Sequence, residues 1–242
     1  MKIRSEELYD TLRGFKQFKK DDLIDFSCAR CAACCKLYEN ILLKPFDIFR
    51  LSGALSLTPS AFIGEYCTVL QDPLSKLPIV KFRKASGDSE ACHFLHDGRC
   101  SVHAARPTSC ALYPLLRIID PETHEAAYYL PPDMCDQKQA PIPLSEWLTS
   151  NDIEGDEAFS VLWFDWMLGA AKNIEEILSN DTALPAEAKY TFFRFLYAAL
   201  YLKYDTDGDF TEQFQANRAL IDEMANNLLI EALMNTAAGG DE

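Results

Sequence analysis

Residues 28–35 read Cys28-Ala29-Arg30-Cys31-Ala32-Ala33-Cys34-Cys35, four thiols within eight positions. A Cys-x-x-Cys step wraps a turn around one metal and brings both sulfurs near tetrahedral ligand distance. Adjacent Cys34 and Cys35 are expected to diverge, serving two metal centres or two edges of one cluster. Four more cysteines follow, Cys92, Cys100, Cys110 and Cys135, and complete a set of eight, enough for two four-thiolate sites. The ninth, Cys67, sits among apolar neighbours and reads as a small buried hydrophobe.

Composition narrows the setting. The chain has 242 residues, with 37 acids against 23 bases and a formal net charge of −14. That balance argues against a nucleic-acid partner, which needs Lys and Arg to displace counterions from phosphates. It disfavours anionic membrane surfaces for the same reason. The start, Met1-Lys2-Ile3-Arg4-Ser5-Glu6-Glu7, turns polar where a signal peptide turns apolar. The most apolar stretches, Phe159–Ala171 and Phe192–Leu202, contain Asp165 and Arg194 and fall short of the ~20 residues a bilayer needs. A cytoplasmic protein is therefore expected. In a reducing compartment a dense cysteine pattern points to metal binding rather than to disulfides.

The fold class expected is mainly α with short β-hairpins. A Cys-rich domain over 1–140 is followed by a helical region over 141–242, with Pro131, Pro132, Pro141 and Pro143 at the transition. Leu8, Leu12, Phe15 and Phe18 predict a helix over 5–18. Pro45 suits the first turn of a helix carrying Ile48, Leu51 and Leu55. Thr58-Pro59 reads as N-cap and N1 of another, with Phe62, Ile63 and Tyr66. Residues 79–83 predict a short strand. Asp97-Gly98 predicts a tight hairpin turn that draws Cys92 and Cys100 together. Residues 115–119 and 126–130 predict a second hairpin. Three helices are expected at about 156–178, 185–203 and 210–235, the last capped by Asp209 and Glu212.

Three blocks resemble the CxxCxxCC proteins, the YkgJ-type cysteine cluster family. The first is Cys28–Cys35. The second runs from Leu43-Lys44-Pro45-Phe46-Asp47 to Leu57-Thr58-Pro59-Ser60-Ala61-Phe62-Ile63. The third holds Cys92-His93-Phe94-Leu95, Asp97-Gly98-Arg99-Cys100-Ser101-Val102-His103, Ala105-Arg106-Pro107, Cys110 and Tyr113-Pro114, with Cys135 matching the last family cysteine. The resemblance covers about residues 26–136 and implies a zinc- or iron-chelating domain. Flagellin lysine methylases are more distantly similar, through a related Cys cluster and the Cys-x-Phe-Leu and Cys-x-x-Tyr-Pro blocks. Their first cluster is spaced more loosely than Cys28–Cys35.

The spacing Cys28-x-x-Cys31-x-x-Cys34 is that of the first three ligands in bacterial ferredoxins, with a fourth Cys from elsewhere. Zinc also accepts four thiolates, but only one Cys-x-x-Cys series is present. An iron–sulfur cluster is slightly favoured over zinc. Arg30, Lys36, Arg99 and above all Arg106 are placed to balance the charge of a thiolate-rich centre. His93, His96 and His103 are expected outside the ligand set. Asp205–Asp209 reads as an acidic turn, because the positions where a calcium loop needs Gly and Glu hold Phe210 and Ala216. Trp147, Trp163 and Trp166 are expected to pack. No phosphate-binding glycine loop, nucleophile elbow or zincin helix occurs. The function expected is a metal-binding protein that acts as a redox or binding module, with a metal or cluster and a protein as partners. The alternatives are a metal-dependent protein-modifying enzyme of lysine methyltransferase type and a purely structural zinc domain.

Overall fold

The computed structural model describes residues 10, 12–26, 28–37, 41–83, 91–120, 122–132, 138–179 and 182–238. It is about 52% helix against 19% strand, and the strands are short and antiparallel. The chain begins with strands β1 (Lys16–Phe18) and β2 (Leu23–Phe26), then helix α1 (Ala33–Leu37) and strand β3 (Leu42–Leu43). Helices α2 (Pro45–Ala54) and α3 (Pro59–Tyr66) lead into β4 (Cys67–Gln71) and β5 (Pro78–Phe82). Hairpin β6 (Leu95–His96) and β7 (Arg99–Cys100) precedes a 3-10 turn at His103–Ala105 and helix α4 (Thr108–Leu112). Strands β8 (Leu116–Ile119), β9 (Ala126–Leu130) and β10 (Lys138–Pro143) come next. Helices α5 (Leu144–Ser150), α6 (Glu154–Leu178), α7 (Ala186–Tyr197) and α8 (Phe210–Ala238) complete the order; a π-helical turn at Ala198–Leu202 extends α7.

Local sequence explains most of these limits. Pro45 and Pro59 occupy first turns, where a missing N–H costs nothing. The Thr58 hydroxyl accepts a hydrogen bond from the Ala61 amide at 3.2 Å and caps α3. Asp209 caps α8 by accepting from the Glu212 amide at 2.8 Å. Asp97 and Gly98 take φ of 49° and 73°, the left-handed pair of a two-residue hairpin, so β6 and β7 pair directly. The expected hairpin of β8 and β9 forms in antiparallel register, with Ile118 opposite Ala127.

One expectation is corrected. Phe15 and Phe18 suggested a helix over 5–18, but Lys16–Phe18 is a strand on β9, with Gln17 opposite Tyr129. The backbone finds its partners across the sheet, and Phe18 reaches the core from there, only 4% exposed. Residues 1–9 and 11 lie outside the described residues. Pro141 and Pro143 lie in β10, which pairs with β2. Its register shifts between Lys138 and Ile142, as an irregular strand with prolines can tolerate.

Two hydrophobic cores organise the chain. The larger joins α2, α3 and β5 to α6, α7 and α8, around Ile48, Leu51, Phe62, Phe192 and Phe214. In it Phe159 meets Phe214 edge-on at 5.0 Å between ring centroids. The smaller joins β1, β2, α4, β9 and α5 around Phe26, Tyr128 and Trp147. Trp147 and Trp166 are buried and Trp163 packs against the larger core, as expected. Burying such side chains contributes ~1.5–3 kcal/mol each. Among the described residues, no helix is long and apolar enough to cross a membrane.

Candidate metal centre

The first cysteine block is an irregular loop followed by one turn of helix. Arg30 and Ala32 take φ of 53° and 62°, a left-handed conformation that costs a non-glycine residue roughly 1–2 kcal/mol. The two reversals fold the Cys-x-x-Cys steps back on themselves. Cys28 and Cys31 are exposed, and Cys34 and Cys35, on α1, are half-buried. The second block is tied to the first by its backbone, since the Cys92 amide donates to the Cys35 carbonyl at 2.9 Å. The Asp97-Gly98 turn sets Cys100 opposite Leu95. Pro107 leads into α4, which carries Cys110.

These elements enclose a cavity of about 490 Å³. Cys28, Cys31, Cys34, Cys35, Cys92, Cys100 and Cys110 all line it. Cys135 lies outside the described residues. Cys67 stands apart in the larger core, 2% exposed, and burial pushes its thiol up to about 12. Cys34 and Cys35, expected to diverge, instead interact: the Cys35 thiol donates to Cys34, holding Cys34 well below the usual thiol range and Cys35 well above it. Burial raises Cys92, Cys100 and Cys110, and neighbouring thiols add to the effect. Among the described residues, no three His, Cys, Asp or Glu side chains stand close enough together to hold a metal ion as they are. The thiols share a cavity rather than a finished coordination shell.

Basic residues complete the surroundings. Arg30 and Arg106 line the cavity, whereas Lys36 and Arg99 are not among the lining residues. Arg106 acts on Cys34 and Cys100 and favours their thiolates. Its guanidinium meets His103 Nε2 and the Asn151 side-chain oxygen. His103 Nε2 lies 3.7 Å from Cys28 Sγ. Burial, then Arg106 and Arg30, lowers the pKa of His103 and favours a neutral ring.

Beside the thiols lies a cluster that the sequence did not single out. Lys44 Nζ donates to Asp156 and to Ser160 Oγ, both at 2.6 Å. Arg117 binds Ser160 Oγ at 2.6 Å and also meets Asp156. Asp47 accepts from the Thr108 amide at 2.8 Å and its hydroxyl at 3.0 Å. Lys44 and Asp156 are 112 residues apart, and no local pattern links them.

Thiolates are soft donors that suit zinc and iron–sulfur clusters, whereas magnesium and calcium take oxygen ligands. Among the described lining residues there is no carboxylate. The donor set therefore fits a thiophilic metal. A family model described as "Putative zinc- or iron-chelating domain", CxxCxxCC, matches residues 27–136, a little under half of the chain. No curated protein and no solved structure matches the chain significantly. Every described residue that lines the cavity falls within the segment that is similar to this family.

Proposed function

We propose that the chain holds one or two iron–sulfur clusters through the thiolates of Cys28, Cys31, Cys34, Cys35, Cys92, Cys100, Cys110 and Cys135, and serves as a redox or binding module. The observation that carries this reading is the convergence of seven cysteines on one cavity of about 490 Å³. A closed zinc site needs four thiolates at about 2.3 Å. One iron–sulfur cluster also takes four, so seven sulfurs around one space favour more than one centre, whichever metal fills it. The ferredoxin-like spacing of Cys28, Cys31 and Cys34 supports the same reading. When bound, a cluster of this kind supplies one-electron chemistry. Arg106, whose charge favours the thiolates of Cys34 and Cys100, would help set its potential.

The test is metal and acid-labile sulfide content, with the visible spectrum, of protein purified without oxygen. Iron and sulfide in matching amounts with a brown colour are expected. A colourless protein carrying zinc would overturn the cluster and leave chelation standing. Folded protein that takes up neither metal would overturn the whole reading.

A further inference from the structure

The cysteine cavity is larger than a metal centre requires, and its other walls differ in kind. Its volume of about 490 Å³ falls within the ~300–1,000 Å³ typical of small-molecule sites. Much of the remaining lining is apolar, including Ile41, Leu42, Phe82, Phe94, Val102 and Leu116. Leu42 and Leu116 are 52% and 43% exposed, so apolar surface continues from the cavity to the outside.

The charged lining has one sign. Arg30, Lys44, Arg106 and Arg117 line the cavity, and among the described residues no Asp or Glu does. This occurs in a chain with 37 acids and 23 bases. The bases are only partly answered from behind. Lys44 and Arg117 share one carboxylate, Asp156. Arg106 is hydrogen-bonded to His103 and Asn151 rather than to an acid. A thiolate-held metal accounts for Arg106, which acts on the cysteines. It leaves Arg30 at the loop and Arg117, whose Nη1 is buried without a hydrogen-bond partner.

We propose that this cavity also binds a small organic anion, an oxyanion head on an apolar body, beside the thiolate-held metal. The inference deepens the metal-centre reading and rests on it only for what occupies the cysteine wall. The oxyanion is a carboxylate or a phosphate, which share the chemistry that Arg and Lys recognise.

The test uses the full chain carrying its metal, with metal content measured on the same sample. Hexanoate, hexyl phosphate and 1-hexanol are titrated by calorimetry. At least one of the two anions is expected to bind about tenfold more tightly than hexanol, the difference made by a charge-assisted contact. Preference for hexanoate identifies a carboxylate ligand, preference for hexyl phosphate a phosphoryl one, and equal binding an unselective oxyanion site. Arg30→Gln is expected to weaken the anion severalfold when variant and parent are compared at equal measured metal content. Failure of both anions to bind metal-loaded protein, or equal binding of hexanol, would overturn the proposal. Anion binding to a chain that takes up no metal would support it and sink the metal reading alone.

Discussion

Two polar clusters meet at helix α4, which contributes Thr108 to one and Cys110 to the other. In the ionic cluster the charged groups are mostly answered from within the chain. Asp156 takes Lys44 and Arg117, Ser160 joins both, and Asp47 takes the Thr108 amide and hydroxyl. In the thiol cluster the groups mostly meet their own kind, and their interactions are the mutual ones of Cys34, Cys35, Cys92, Cys100 and Cys110. A buried cluster bonded mostly from within the chain holds elements together. A set of weakly bonded sulfurs around a cavity is equipped for something from outside. The two should therefore respond in opposite ways to mutation.

The largest effect on stability is expected from Asp156→Ala. It would leave Lys44 and Arg117 buried without their carboxylate and cost ~3–5 kcal/mol. Because Lys44 precedes α2 while Arg117 lies on β8, both cores should loosen together. Urea denaturation followed by circular dichroism measures this. An unchanged midpoint would show that the ionic cluster is not what joins the two halves.

Acid should act on the same cluster. Asp156 is held below the usual carboxylate range by Lys44 and Arg117, against the opposing effect of burial. Glu157 is held low by its bonds to Tyr128 and Lys20, again against burial. Depressed carboxylates contribute stability that is complete above their unfolded pKa of about 4 and lost as pH falls through the folded value. Asp47, whose pKa is raised by burial, works the other way: its contribution is present at low pH and is lost as pH rises. Stability should therefore fall below about pH 4, and less steeply in Asp156→Asn than in the parent. Parallel pH curves of melting temperature would rule out Asp156 as the titrating group.

A smaller contrast separates Cys67 from the other cysteines. It is 2% exposed within the larger core, where no cavity-lining thiol contacts are needed to explain it. Cys67→Ser should cost about 1–3 kcal/mol, because it buries a hydroxyl in apolar surroundings. Cys67→Ala should cost about 1 kcal/mol through lost packing. Metal content should stay the same in both. Loss of metal in either variant would move Cys67 into the site.

Legibility in the sequence tracked the range of the interactions. Helices α2 and α3 carry their own starts in Pro45 and Thr58-Pro59, and their apolar spacing reports the core face. The β6–β7 turn is written in two residues, Asp97 and Gly98. Strand β1 was misread because Phe15 and Phe18 fit a helical face, while the pairing that overrides it comes from β9, more than a hundred residues later. Strand β10 was hidden by Pro141 and Pro143, which break most strands but are tolerated in this irregular pairing with β2. Cysteine spacing pointed to a common site for thiols that the structure gathers from α1, β7, α4 and the loops before α1 and β6. The ionic cluster had no such signal, because single Lys, Asp and Arg residues distant in sequence look like solvated surface until the fold brings them together.

The smallest expected effect on the fold is the sharpest test of the contrast. Replacing Cys34 and Cys35 together by Ser alters two half-buried groups whose principal hydrogen bond is to each other. Ser can make the same mutual contact, so metal-free protein should lose less than about 1 kcal/mol. Serine oxygen is a poor substitute for thiolate toward a soft metal, so metal content should drop sharply. Measuring stability of the metal-free double variant beside its metal content separates the two roles. If the double variant unfolded while Asp156→Ala remained stable, the assignment of the two clusters would have to be exchanged.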